Sequence, residues 1–222
     1  MIKRKNILKI AIDSPAAAGA GTLAKQLAKH YNLLYLDTGK IYRLIGYLKI
    51  KGKNKISYSF IKKKMNKLKF SDLSKKSLLS DKIGVAASQI AKDPKIRKLV
   101  HKFQIDCAYK FPKKFNGSCL DGRDITYKII PDADFKFFIT ADINTRAKRR
   151  FKELKKMGKK TNLKFVLNSI QKRDKNDYNR AISPLKKTKD SVLINTSNLT
   201  KSACFYKIKN IIDTKLKTNG NI

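Results

Sequence analysis

The feature that most constrains this chain is an apolar run, then a stretch of small residues, then a helical pattern. Ile7–Ile12 has the length and composition of a buried parallel strand. Ser14–Gly21 contains only Ser, Pro, Ala and Gly, and Thr22–Tyr31 carries Leu23, Ala24, Leu27 and Ala28 at helical spacing. Strand, loop and helix in that order open a βαβ unit. Small loop residues let backbone N–H groups converge on an anion, and the helix N-terminus adds positive potential. Against the pattern G-x-x-x-x-G-K-[ST], Ser14 stands at the first glycine, Gly19 at the second and Ala20 at the lysine. By spacing alone the match is weak, and an ordinary Ala/Gly helix-start turn fits it as well.

Further along, strands alternate with helices. Leu33–Leu36 is a short strand ending at Asp37, followed by a helix over about Lys40–Leu48. Lys49–Lys82 is rich in Lys and Ser, has weak helical periodicity around Phe60–Leu68, and lacks strand alternation. Helices are predicted over Ile83–Ala91, Pro94–Tyr109 (Pro in the first turn), Asn144–Lys156, Leu163–Asn179 and from the last strand to about Leu216. Strands are predicted at Ser118–Leu120, Phe135–Thr140 and Ser191–Asn195. This alternation implies a parallel sheet flanked by helices, with ligands at the carboxyl ends of the strands.

Composition limits the function classes. Lys+Arg 53 against Asp+Glu 16 gives +37, a charge that attracts nucleotides, nucleic acid or anionic lipid. The lysines are spread along the whole chain with no RNA-recognition motif, so scattered surface charge is favoured over a specific nucleic-acid surface. Cys107, Cys119 and Cys204 are odd in number and widely spaced, which suits reduced thiols in the cytoplasm. With only His30 and His101, a His-rich metal site is excluded. Met1–Lys5 is basic and Ala16–Ala18 could mimic a cleavage site, but the intervening run contains Lys9 and ends at Asp13, a poor signal-peptide core. No apolar run approaches the ~20 residues of a membrane span.

Arginines stand out in a lysine-dominated chain. Arg146, Arg149 and Arg150 share one helix face, and Arg173, Asp177 and Arg180 share another by their spacing. Arg in place of the prevailing Lys argues for planar, bidentate recognition of phosphate. Such faces opposite a phosphate loop suit phosphoryl transfer, where catalysis is mostly positioning and charge neutralisation.

The segments Leu36–Arg43, Ala87–Ala91 with Pro94 and Arg97, Leu120–Asp124, Pro131–Ala133, Arg146–Arg150 and Arg173–Asp174 through Arg180 to Leu185 follow in order. This ordered set resembles the bacterial cytidylate (CMP) kinases, a nucleoside-monophosphate kinase family, from about Ile10 to Thr196. The resemblance implies a single P-loop NTPase-like α/β domain over 1–222, with a core of about 5–48 and 83–216, a short acceptor insert at 49–82 and an Arg-rich lid at about 146–180. It implies transfer of the γ-phosphate of ATP, with Mg²⁺, to CMP or dCMP.

By position, Ser14, Pro15, Ala16, Ala17, Ala18, Gly19, Ala20, Gly21 and Thr22 would bind ATP. Thr38 and Arg43 would lie near the acceptor nucleotide, and Ser88 and Arg97 would recognise cytosine. Arg123 and Asp124 would face the acceptor, Asp121 more weakly. Asp177 would hold ribose hydroxyls, and Arg173 would contact the acceptor nucleotide. Arg123, Arg146, Arg150 and Arg180 would act in catalysis. The expected protein is a cytoplasmic monomer with no membrane or specific nucleic-acid partner.

Two departures set this chain apart. Ala20 cannot supply the loop ammonium, which leaves three outcomes: another cation compensates, the enzyme is slow, or the protein binds nucleotides without turnover. The insert is short, which leaves open the preference among CMP, dCMP and UMP. A basic nucleic-acid-binding protein is the remaining alternative. Asp121, Asp124 and Asp177 argue against it, since a polyanion-binding surface has little use for them.

Overall fold

The computed structural model describes residues 7–53 and 55–218. The basic stretch Met1–Lys5 lies outside the described residues. Five parallel strands form one sheet in the order β2-β3-β1-β4-β5. They are β1 (Leu8–Asp13), β2 (Leu34–Asp37), β3 (Gly117–Gly122), β4 (Phe135–Thr140) and β5 (Val192–Asn195). The chain leaves β1 toward β2 on one side and later passes it to reach β4 on the other. Loops at the carboxyl ends around β1 therefore flank a crevice, where open α/β sheets place ligands.

Successive residues of β1 face opposite sides of the sheet. Ile10 and Ile12 join a core with Leu23 and Leu27 of α1 (Ala20–His30), Phe137 of β4, and Ile208 and Ile212 of α8 (Lys201–Thr218). Ala11 joins Leu36 and Leu120 in a second core. There they meet Ile41 and Ile45 of α2 (Thr38–Lys51). The insert adds α3 (Tyr58–Asn66), capped by Ser57 Oγ, which accepts from Phe60 N–H at 3.3 Å. Its Ile61 and Met65 are buried in that second core. Two short 3₁₀ turns at Phe70–Ser74 and Lys76–Leu79 lead to α4 (Asp81–Ile90) and α5 (Pro94–Tyr109). No strand occurs among the described residues of the insert, in line with its lack of alternation. Helices α6 (Ile143–Lys156) and α7 (Leu163–Asn179) pack on each other through Ala147, Leu154, Val166 and Ile170, and with Ala16 of the loop.

Element types follow the pattern in the sequence, and the differences have local causes. Helix α1 begins at Ala20 rather than Thr22, because left-handed Gly19 (φ 90°) ends the loop directly before it. Helix α2 begins at Thr38 rather than Lys40, because the Asp37 side chain accepts Lys40 N–H at 3.2 Å and caps it. Arg180 is extended and lies just past α7, so it leaves the helix whose face it was expected to continue. A single π-helical turn at Ile125–Ile129 was not foreseen. Buried Asp13, at the end of β1, organises it by accepting from Ile125 N–H (2.8 Å), Thr126 N–H (2.9 Å) and Thr126 Oγ1 (2.6 Å).

Candidate nucleotide site

The loop after β1 is held from three sides. Ser14 N–H donates to Gly122 O at 3.2 Å. Ala16 N–H donates to Asp174 Oδ1 at 2.9 Å, while Arg146 donates to Ala16 O and Ala141 O, both at 2.9 Å, and pairs with Asp174. Thr196 Oγ1 donates to Ala18 O at 3.2 Å. Two left-handed residues, Ala17 (φ 60°) and Gly19 (φ 90°), curl the backbone between these ties. Such a turn at a helix N-terminus aims N–H groups at an anion.

The loop forms one wall of a cavity of about 500 Å³. Ser14, Pro15, Ala17, Ala18, Gly19, Ala20, Gly21 and Thr22 line it, whereas Ala16 is buried beneath. Asp37, Lys40, Asp121 and Arg150 line other parts of the same cavity. A second, narrow cavity of about 50 Å³ is lined by Thr38, Tyr42, Ser88, Arg97, Asp124, Asp177 and Arg180. Gly39, Arg43, Gly122, Arg123 and Arg173 line both, so the two spaces share a wall. Gly122 permits that closeness, since a Cβ there would fall 2.4 Å from Thr38 Oγ1. An apolar recess of about 250 Å³ continues from Ala18, Gly19 and Thr22 to Leu199 and Thr200. Arg149 borders it and donates to Thr196 Oγ1 at 2.9 Å.

Ion pairs fill the narrow cavity. Arg97 pairs with Asp124, and Arg123 Nε donates to Asp177 Oδ2 at 2.7 Å. Burial raises the Asp177 carboxyl, but Arg123 and Arg173 outweigh it and hold the group below the usual carboxylate range. Arg43 donates to the carbonyls of Leu78 (2.7 Å) and Ser80 (3.0 Å). Burial and the neighbouring charges of Arg173 and Arg150 bring its pKa down to about 9. Arg173 Nε is buried with no hydrogen-bond partner among the described residues, and burial and Arg123 lower its pKa. A cluster of cations that repel one another in a buried place is a receptor for an anion.

The structure thus brings together Thr38, Arg43, Ser88, Arg97, Arg123, Asp124, Arg173, Asp177 and Arg180. Asp121 lines the loop cavity instead. Arg150 lines the loop cavity while pairing with Asp81 and Glu153. Arg146 lines none of the three cavities and is engaged in the loop anchor. Sequence reasoning missed that anchor: Asp174 was seen only as the neighbour of Arg173. Tyr42 packs in the core beside Ile41 and Ile45 and also borders the narrow cavity, its hydroxyl buried without a partner among the described residues. The available signal for the latter was its position one residue before Arg43.

The sequence model of one protein family, described as Cytidylate kinase, matches residues 10–214. A cytidylate kinase of Bartonella tribocorum is 41% identical over 215 residues, covering 94% of this chain and 95% of that protein. A cytidylate kinase of Mesomycoplasma hyopneumoniae (strain 7448) is 35% identical over 223 residues, covering 94% and 95%. Among solved structures, an uncharacterized protein from Eubacterium ventriosum is 20% identical with a TM-score of 0.53, covering 93% of this chain and 98% of that one. At that identity the structural likeness speaks for the fold.

Proposed function

The chain belongs to the cytidylate kinase family, and on that premise we propose that it transfers the γ-phosphoryl group of ATP to CMP or dCMP, giving ADP and CDP or dCDP. The observation that carries this reading is the wall common to the two cavities: an acceptor phosphate held by Arg43, Arg123 and Arg173 would border the space in front of the loop. An oxygen of the CMP phosphate attacks the γ-phosphorus, the bond from that phosphorus to the β–γ bridging oxygen breaks, and ADP leaves. Loop N–H groups receive the ATP phosphates, and the apolar recess beside Leu199 receives the adenine. Ser88 and Arg97 read the cytosine edge, with Asp124 beside them, and Asp177 takes the ribose hydroxyls. Arg123, Arg150 and Arg180 contribute positive charge as the phosphoryl group moves, with Arg146 holding the loop. Helices α6 and α7 act as a lid that excludes water from the transfer.

Mg²⁺ fits this site. Asp121 Oδ1 is buried with no hydrogen-bond partner among the described residues, and Asp37 stands opposite Asp121 in the register of β2 and β3. Burial and the charge of Asp37 push the Asp121 carboxyl well above its ordinary value, a strain that a cation relieves. Mg²⁺ is commonly held by one or two carboxylates together with substrate phosphates, which Asp121 and Asp37 would supply. When bound, it neutralises charge on the ATP phosphates.

Cys107, Cys119 and Cys204 are buried free thiols, which supports a reducing, cytoplasmic setting. We take the protein to be a monomer without a membrane or specific nucleic-acid partner; sedimentation checks the first point. No described helix is long and apolar enough to cross a membrane. The test of the activity is CDP formation from ATP, Mg²⁺ and CMP by the purified chain. Phosphorylation of CMP and dCMP is expected, and turnover of UMP or AMP with none of CMP would overturn the substrate assignment.

A further inference from the structure

The phosphate loop carries Ala20 where the common pattern has a lysine that reaches the β- and γ-phosphates. Ala20 is buried, 4% exposed, and packs in the core with Leu23 and Ala24. A methyl group there leaves the loop without its ammonium, so any replacement has to come from elsewhere around the cavity.

Six cationic side chains border that cavity: Lys25, Lys40, Arg43, Arg123, Arg150 and Arg173. Arg43 and Arg123 lie in the wall shared with the acceptor cavity and are assigned there to the acceptor phosphate, and Arg150 is tied to Asp81 and Glu153. Arg173 also borders the acceptor cavity, where the acceptor phosphate requires it. Two lysines are left. Lys25 is exposed on α1, where water competes for its charge. Lys40 is half-buried in the first turn of α2, and its ammonium has no hydrogen bond or ion pair among the described residues.

The backbone around Lys40 is pinned to the strand that abuts the loop. Lys40 N–H donates to Asp37 Oδ1, and Thr38 Oγ1 donates to Asp121 O at 2.8 Å. Asp121 in turn lies against the loop, because a Cβ added to Gly21 would sit 3.5 Å from its Oδ2. Lys40 therefore borders the loop cavity from a helix start that Thr38 ties to Asp121, whose side chain lies against Gly21. It is on a rigid helix start rather than a mobile segment, which favours a fixed position for its charge.

We infer that Lys40 supplies the ammonium missing at Ala20, contacting the phosphates of ATP from the opposite wall of the cavity. This rests on the kinase reading above and deepens it. The competing role for Lys40 is a counter-charge that only holds Asp37 and Asp121 in place. The two roles differ in one respect: a lysine restored at position 20 replaces a phosphate contact and does nothing for a misplaced carboxylate pair.

The experiment compares the unaltered chain, K40M, K40Q and the double variant A20K/K40M, with kcat for CDP formation and calorimetric Kd for ATP and for CMP. Calorimetry needs no turnover, so a failure of the kinase reading (no CDP from the unaltered chain) is seen separately from a failure at Lys40. K40M and K40Q are expected to lose about 10²–10³ in kcat. ATP Kd is expected to rise tenfold or more with CMP Kd within about threefold, and A20K/K40M should recover most of both losses. Where one single variant does not fold, the other carries the comparison with the unaltered chain and A20K/K40M. ATP affinity within threefold of the unaltered chain in K40M and K40Q would overturn the proposal, as would a loss that Lys at position 20 does not restore.

Discussion

Arg150 Nε donates to Asp81 Oδ1 at 3.0 Å, tying the middle of α6 to the first residue of α4. Both side chains are more than nine-tenths buried, and Arg150 also pairs with Glu153. The bond links the arginine-bearing helix pair to α4, beside the loop cavity that Arg150 borders. Removing Asp81 would leave the buried guanidinium with only the exposed Glu153 as counter-charge. D81A is expected to lower the unfolding free energy by about 3–5 kcal/mol, measured by urea denaturation. An effect below ~1 kcal/mol would show that the guanidinium finds solvent.

Asp177 sits between the acceptor cavity and Arg123, and the Arg123 charge keeps it ionised. Replacing it with Asn removes one acceptor from the ribose side and frees Arg123 to move. D177N should lower kcat/KM for CMP about 10–100-fold while leaving the Kd for ATP within about threefold. Equal losses for both nucleotides would place Asp177 in general packing rather than in acceptor recognition.

Asp174 has the opposite signature. It accepts from Ala16 N–H and pairs with Arg146, which also holds Ala16 O. D174N leaves Arg146 buried without a full counter-charge and loosens the loop. ATP binding is expected to weaken about tenfold by calorimetry, with CMP binding changed less, and unfolding to become easier by about 2–4 kcal/mol.

Asp13 gives a pH-dependent prediction. Burial pushes its carboxyl up to about 6, although three donors hold it. The folded value lies above the unfolded one, so the folded state takes up a proton more readily in the range between about 4 and 6. The contribution of this group to stability is fully present below pH about 4 and is lost as pH rises through about 6. The difference in unfolding free energy between the unaltered chain and D13N should therefore shift in favour of the unaltered chain as pH falls from 7 to 4, by about 2–3 kcal/mol. A flat difference would show that the three donors cancel the cost of burial.

Much of this arrangement was legible in the residues because it is local. Helix α5 follows from Pro94 and apolar spacing, and β4 from Phe135 and Phe137–Ile139, an apolar run interrupted by Lys136. The grouping of Ser88, Arg97, Asp124 and Asp177 was legible only through family resemblance, since α4, α5, β3 and α7 meet by tertiary packing. What stayed hidden depends on long-range partners. Asp13 organises a turn more than a hundred residues away, and nothing near Ile125 in the chain announces a π-helical turn. Asp174 reads as an ordinary helix residue until Ala16 is placed against it. Lys40 is one lysine among many in sequence, and its half-buried place beside Asp37 and Asp121 singles it out only in three dimensions.

Arg43 takes its two bonds from the main-chain carbonyls of Leu78 and Ser80, not from side chains. Any amino acid can present such a carbonyl, so the grip on this arginine is indifferent to what the neighbouring side chains are. Mutations can accumulate in the lysine-laden insert, provided its backbone path is kept, without moving the guanidinium that borders both cavities. The acceptor region is in this way free to diverge on its outside while its inner edge stays fixed.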